Sequence, residues 1–217
     1  MFSGIIDKIG HIDSVAPNAA GQTLQVNADG DYWQAVPLGA SIAIDGVCLT
    51  VTKIAGAVAH FDVVAETLRR STLGALQAGD GVNLQKSMVV GDRIDGHFVQ
   101  GHVDAVGTID EIVPGDLSAM WWFKAEPDAM RMIVPKGSIT IDGISLTVAA
   151  REAERFAVAL IPTTLRETTI GDKRVGQSVN LETDILVRTI AHLLHDGQTD
   201  GKVGGITLSY LQANGFA

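Results

Sequence analysis

The stretch SIAIDGVCLTVTKI (residues 41–54) reads as two short strands around a tight turn. Apolar residues alternate with polar ones, β-branched residues are enriched, and Asp-Gly sits at the centre. Its core, IDGVCLTV at 44–51, returns as IDGISLTV at 141–148, an offset of 97 residues. Three more blocks keep that offset and the same order. GIIDKIGHID (4–13) matches GHVDAVGTID (101–110), TLRRSTLG (67–74) matches TLRETTIG (164–171), and GDGVNLQ (79–85) matches GQSVNLE (176–182). Between blocks, Phe61 and Phe156 align only if one insertion opens and a second cancels it. Two copies are too few for a solenoid, which needs at least three repeats. The expected organisation is two homologous domains, residues 1–96 and 97–184, followed by a helical tail, 185–217.

Each half reads as β. HFDVVAETL (60–68), RFAVALIPTTL (155–165), VGTIDEIV (106–113) and SAMWWFKAEP (118–127) add further apolar strands, and LGALQAG (73–79) accommodates one helical turn. About six short strands per half, punctuated by glycine, predict an all-β fold of two small closed barrels. The tail differs. DILVRTIAHLLHDG (184–197) places Ile185, Leu186, Ile190, Leu193 and Leu194 on one side of a helix, with Gly197 as its stop. ITLSYLQANG (206–215) reads as a second short helix ending at Asn-Gly. Neither has a partner in the repeat, and packing on a barrel or oligomerisation would serve each equally.

A composition 46% hydrophobic and 19% charged suits a globular protein. A net charge of −9 and a pI near 5.0 argue against nonspecific nucleic-acid binding. The single cysteine excludes an intrachain disulfide framework and fits a reducing compartment. MFSGIIDKIG lacks the basic and apolar regions of a signal peptide, and no apolar run is long enough to span a membrane. The expected location is the cytoplasm.

The junction VGDRIDGHFVQGHVD (90–104) holds His97 and His102, each after a glycine. Residues five apart point to opposite faces of a strand and lie about 140° apart on a helix, which disfavours a metal pair. No metal site is expected, and two structural histidines at a turn is the plain alternative. Small polar residues persist in both halves: Ser41 with Ser138, Thr50 with Thr147, Thr67 with Thr164. That persistence favours recognition of one ligand type twice. Other positions diverge: Cys48 against Ser145, Ile5 against His102, Gly39 against Lys136, Ser87 against Asp184. Like sites with unlike groups would suit two identical molecules in different roles, one donor and one acceptor.

MFSGI, GVCLTV, GHFVQGHVD, DGISLTV, IPTTLRETTIG, NLETDIL and ITLSYLQANGF together closely resemble riboflavin synthase of the α-chain type, over nearly the whole chain. The resemblance implies two six-stranded Greek-key barrels plus a C-terminal helix. It implies a homotrimer held by that helix, with each active site between the N-terminal barrel of one subunit and the C-terminal barrel of the next. The implied reaction is a dismutation of two 6,7-dimethyl-8-ribityllumazine molecules to riboflavin and 5-amino-6-ribitylamino-2,4-pyrimidinedione, without metal or redox cofactor. Its chemistry needs a base for the acidic C7 methyl and a nucleophile or activated water for the other lumazine. On that basis His102 is expected as base or proton shuttle, supported by Ser145 and Thr147. Cys48 and Ser41 would serve the N-terminal site, Lys136 and Asp184 the partner site, and Phe2 at a mobile N-terminus would close over it. His97 is left open between a structural and a catalytic role. Ligand-cradling segments are expected at Gly4, Ile5 and Ile6; at Cys48, Leu49 and Thr50; and at Asp62, Val63, Val64, Ala65, Glu66 and Thr67. The same role is expected at Gly101, His102 and Val103; at Ser145, Leu146 and Thr147; and at Ile161, Pro162, Thr163, Thr164, Leu165 and Arg166. The family commonly reads Gly-Gly-His at the junction, where this chain has Asp95 before Gly96 and His97. An added side chain there restricts the turn.

Three other readings compete. A lumazine-protein-like carrier binds lumazine or flavin without turnover, and is expected to lose groups from one half; this chain keeps polar candidates in both. A flavin reductase barrel needs a nicotinamide domain with a glycine-rich turn, and no such unit is present in the sequence. A trimeric interaction module leaves the paired threonines without a purpose.

Overall fold

A computed structural model describes residues 1–199 and Gln212. The first barrel contains β1 (Lys8–Asn18), β2 (Gly21–Asn27), β3 (Ser41–Ile44), β4 (Val47–Ala55), β5 (Val58–Val64) and β6 (Gly81–Lys86), closed in the order β1-β2-β5-β4-β3-β6. The second contains β7 (Ala105–Val113), β8 (Ala119–Lys124), β9 (Ser138–Ile141), β10 (Ile144–Arg151), β11 (Arg155–Leu160) and β12 (Ser178–Thr183), closed in the corresponding order. Every neighbouring pair is antiparallel, the Greek-key arrangement expected from the resemblance.

Alternation builds these strands. β4 turns Val47, Leu49 and Val51 inward, and β5 turns Ala59, Phe61 and Val63 inward, so the outward residues stay free for other work. Each barrel has its own apolar core: Leu24, Ile42, Phe61 and Leu84 in the first, Ile139, Phe123, Phe156 and Leu181 in the second. Ladder irregularities recur at matching places, between Ile12 and Ser14 and between Ile109 and Glu111, then between Val51 and Lys53 and between Val148 and Ala150. Such bulges sharpen the bend that closes a small barrel.

The register corrects one detail. Val51 pairs with Phe61, and Val148 pairs with Val158. Val158 is therefore the counterpart of Phe61, and the offset runs unbroken without compensating insertions. Phe156 fills the second barrel beside Phe123, ring centroids 5.6 Å apart.

Two expected strands are also shorter. β5 stops at Val64 and β11 at Leu160, and the chain then turns into α1 (Ala65–Arg70) and α3 (Pro162–Glu167). Pro162 lacks the N–H a ladder needs and suits the first turn of a helix. The expected turn follows as one 3-10 helix at Thr72–Ala75, with its counterpart at Thr169–Asp172. A third expected strand, 118–127, likewise stops at Lys124, and the chain enters α2 (Pro127–Met132), which buries Ala129 and Met130.

The two barrels, residues 1–185, form one compact unit. They meet across an approximate two-fold axis. The Asn83 side chain donates to the Asp142 carbonyl and the Asn180 side chain to the Asp45 carbonyl, both at 2.9 Å. Thr72 N–H donates to the Asn180 side chain at 2.7 Å, and Thr169 N–H to that of Asn83 at 2.8 Å. Each pair of bonds obeys the repeat. Charge breaks the symmetry: Lys173, which stands where the first half has Leu76, reaches the Asp142 carboxylate at 3.1 Å. Burial, and then the charge of Asp142, push the Asp45 carboxyl up to about 8. Burial also raises Asp142, against the pull of Lys173.

Helix α4 (Ile185–Thr199) forms a separate unit from Leu186 onward and exposes Leu186, Ile190, Leu193 and Leu194. It continues through Gly197, so that glycine is no stop; an interior glycine costs a helix about 1 kcal/mol, which does not suffice to end it. The second tail helix expected at 206–215 lies outside the described residues, apart from the helical Gln212. Among the described residues no helix is long and apolar enough to cross a membrane.

Candidate active site

The polar candidates of β4 and β10 lie on the outside of the barrels. Cys48 and Thr50 alternate with the inward Val47, Leu49 and Val51, and Ser41 pairs with Thr50 across the β3–β4 ladder. On the second barrel Ser145 and Thr147 alternate with Ile144 and Val148, and Ser138 pairs with Thr147. Each barrel thus carries a small polar shelf on its outer wall.

Both shelves are completed by chain from the other half. The Ser145 N–H donates to the Gly4 carbonyl at 2.7 Å, and the Cys48 N–H donates to the Gly101 carbonyl at 2.8 Å. Gly4 and Gly101 have φ of 77° and 79°, and a Cβ on either would stand 2.6 Å from the Cβ of Ser145 or Cys48. Only glycine allows both the left-handed backbone and the approach. Ile6 packs on the core of the second barrel, and Val103 on that of the first. The two arms therefore cross over, and they pair with each other on the way. Phe2 and Val99, equivalent in the repeat, exchange backbone bonds of 2.7 and 3.1 Å.

This exchange redistributes the expected groups. His102 follows Gly101, so its backbone stands beside Cys48 on the first shelf and not with Ser145. The imidazole at Ser145 belongs to His97: its Nδ1 lies 2.7 Å from Ser145 Oγ, and its Nε2 lies 3.2 Å from Thr140 Oγ1. Burial holds His97 below the ordinary histidine range, opposed by the charge of Asp184. A neutral ring between two hydroxyls donates through one nitrogen and accepts through the other, so Ser145 can hand its proton to His97. The two histidines of the junction thus lie against opposite barrels, His97 by its ring and His102 by its backbone.

Phe2 is also relocated. It is fully buried, packed with Ala43, Val99 and Cys48, and forms the floor beneath the thiol; it is not an exposed closing residue. A phenylalanine ring gains more from this burial than from a place at a free terminus.

The remaining candidates divide by exposure. Leu49 and Val63 turn into the barrel core, so only their backbone reaches the shelf, while Leu146 is partly buried against the second core. Asp62 faces outward and accepts from the Thr23 hydroxyl at 2.7 Å and from the Asn18 side chain at 3.1 Å. Val64 and Ile161 are exposed, at matching places before α1 and α3. Glu66 is bound to Arg69 and Arg70, and Arg166 pairs with Glu167 at 2.8 Å. The carbonyls of Thr67 and Thr164 accept from Ser71 and Thr168 at 2.6 and 2.7 Å. On their short helices, Ala65, Pro162 and Thr163 are exposed, while Leu165 packs on the second core. Ile5 is exposed next to Gly4 and lines a cleft of about 750 Å³ with Ser3, Gln85 and Ser87.

Lys136 is exposed and holds a left-handed backbone, φ 65°, where its counterpart Gly39 has 84°. A lysine pays strain there that glycine does not. Asp95 keeps an ordinary φ and pairs with Arg93 at 2.8 Å, so it leaves the junction turn undisturbed.

Sequence reasoning passed over Thr140, Gln85 and Glu182. The last two were legible as the polar ends of GVNLQ and SVNLE, in register after otherwise buried strands.

The model of the lumazine binding domain matches this chain twice, at residues 3–86 and 100–184. A riboflavin synthase from Actinobacillus pleuropneumoniae is 42% identical over 216 residues, covering all of both chains. Those of Photobacterium phosphoreum and Bacillus subtilis are 37% and 35% identical over the same length. Among solved structures, that of LumP complexed with riboflavin superposes with a TM-score of 0.78 at 25% identity, covering 84% of this chain and 99% of that one. With relatives this similar from end to end, and the domain present twice in register, the chain belongs to the riboflavin synthase family.

Proposed function

We propose that the chain catalyses the dismutation of two 6,7-dimethyl-8-ribityllumazine molecules to riboflavin and 5-amino-6-ribitylamino-2,4-pyrimidinedione. The observation that carries this reading is a pair of shelves built to one plan, Ser41 and Thr50 on one matching Ser138 and Thr147 on the other, with unlike groups beside them: Cys48 and the His102 backbone on one, Ser145 and the His97 ring on the other. Two identical substrates would there meet different chemistry. On this reading His102 or Cys48 takes the C7-methyl proton of the lumazine on the first shelf. Ser145, hydrogen-bonded to His97, holds the nucleophile or water that adds to the second lumazine. Lys136 and Asp184 contribute charge and ribityl contacts. Alignment of the two rings would account for much of the acceleration.

The reading extends to assembly. The shelves are outer walls, and α4 exposes Leu186, Ile190, Leu193 and Leu194. A homotrimer gathered by the tail would bring the first shelf of one subunit against the second shelf of the next. The absence of a membrane-crossing helix among the described residues is compatible with a cytoplasmic enzyme.

The test is to incubate the purified protein with the lumazine and a chelator, without added cofactor, and follow both species. Two lumazines lost per riboflavin formed supports the reading. Binding without riboflavin would make the chain a lumazine carrier instead. Truncation after Asp184 is expected to leave folded monomeric barrels with little activity; full activity from the monomer would overturn the shared site.

A further inference from the structure

The crossing arms are each held by one buried residue at the end of a barrel strand, and the two residues differ. Glu182, on β12, is 3% exposed. Its carboxylate accepts three backbone N–H bonds in a row: Gln100 at 2.7 Å, Gly101 at 2.9 Å and His102 at 3.0 Å. Gln85, its counterpart on β6, is 5% exposed. Its amide oxygen accepts from the Gly4 N–H at 3.0 Å and its amide nitrogen donates to Ser3 Oγ at 2.8 Å.

The chemistry of the two clamps is not interchangeable. A carboxylate only accepts, with room for about four bonds, and so it can gather three consecutive N–H groups. An amide presents one accepting and one donating end, and fits an arm that supplies one N–H and one hydroxyl. Placing an amide at 182 would turn an NH₂ against a backbone N–H and leave that donor unsatisfied in a buried place.

We propose that Glu182 is a positioning residue for the first lumazine site, and Gln85 for the second. Glu182 fixes the backbone of Gly101 and His102 against Cys48, and so sets one wall of the Cys48 shelf. Gln85 fixes Ser3 and Gly4 against Ser145, and so sets the wall of the other. Neither touches substrate. The proposal rests on the reading above that each shelf holds a lumazine. It adds that the two sites are tuned separately, by residues in the barrel opposite to the shelf they serve.

The test compares Glu182→Gln with Gln85→Met, two changes that keep side-chain volume. Riboflavin is titrated onto each, with and without alkylation of Cys48, the only thiol in the chain. Blocking Cys48 identifies the binding step that belongs to the first shelf. Glu182→Gln is expected to weaken that step about tenfold, the equivalent of one lost charge-assisted hydrogen bond, and to leave the other step within about twofold. Gln85→Met is expected to do the reverse. Turnover should fall by up to about 100-fold in either, as it does when reacting groups are misplaced by an ångström. Equal weakening of both steps, or of neither, would overturn the proposal, because a merely structural role cannot select one shelf. If Glu182→Gln does not fold, amide exchange in the unaltered chain decides: protection at Gln100, Gly101 and His102 is expected, and exchange as fast as an open loop refutes the clamp. An unaltered chain that binds no lumazine, with those amides protected, would sink the functional reading and leave the clamp standing.

Discussion

The first and second barrels share strand order, bulges, turns and an unbroken offset of 97 residues, yet their outer walls carry different chemistry. Cys48 stands where Ser145 does, Gly39 where Lys136 does, and Gln85 where Glu182 does. The lesson is in which half supplies the histidine. Both His97 and His102 come from the short junction, yet one is bound to Ser145 on the second barrel and the other is held beside Cys48 on the first. A duplicated domain thus makes two unlike sites by changing a few outward residues and sharing one connector, while the inward residues keep the barrels alike.

The widest gap between the shelves should appear in turnover. Ser145→Ala removes the hydroxyl bound to His97 and is expected to lower kcat by about 10²–10⁴-fold, the usual weight of an acid–base partner. Cys48→Ala acts on the other shelf. Comparing the two in steady-state assays with the lumazine ranks the shelves, and an unchanged kcat in Ser145→Ala would remove the His97–Ser145 pair from the chemistry.

Smaller but more symmetric losses should follow at the arms. Gly4→Ala and Gly101→Ala each force a Cβ into a shelf residue at a left-handed backbone, and should each cost about 2–3 kcal/mol in urea unfolding. Costs that differ by more than about 1 kcal/mol would break the idea that the arms dock equivalently.

The axis between the barrels should respond to pH. The folded Asp45 carboxyl holds its proton up to about 8, whereas an unfolded one releases it near 4. The unfolded state therefore binds fewer protons between those values, and stability falls as pH rises through them. Asn at this position keeps the oxygen that accepts from the Asn83 N–H at 2.8 Å and cannot ionise. Asp45→Asn is thus expected to be more stable by up to about 5 kcal/mol at pH 8, with little difference at pH 4. A gain that does not grow with pH would contradict the buried-carboxyl account.

The smallest effect belongs to Lys136. Lys136→Gly gives the second barrel the residue of the first, and is expected to raise stability by about 0.5–1 kcal/mol while lowering activity. Greater stability with full activity would show that the strained lysine contributes nothing to the site.

Much of this was legible in the sequence because the repeat imposes itself on the pattern. IDGVCLTV and IDGISLTV, with their alternation and Asp-Gly turns, lead directly to two like barrels. Helices α1 and α3 were read as strand because the apolar runs continue past Val64 and Leu160, and only Pro162 signalled a change. The site was harder to read for a topological reason. A residue's sequence position placed His102 in the second half and with Ser145, but the arm that carries it docks on the first barrel through Cys48. Nothing in alternation or spacing reports a crossing, since Gly4 and Gly101 look like ordinary turn glycines until their neighbours are known. Phe2 was misplaced for the same reason: its burial depends on Val99 and Ala43, far along the chain.

The crossing also has a consequence for the order in which the chain is made. A ribosome releases the first barrel once β6 has emerged, and domains commonly fold as they appear. That barrel would then have all its strands, with its cysteine uncovered and its leading residues held by Gln85. The wall beside Cys48 arrives with Gly101, and the seat for Gly4 is finished only when β10 has formed. A barrel folded at that stage would therefore have two unfinished faces, and the second half would cover them as well as repeat its plan.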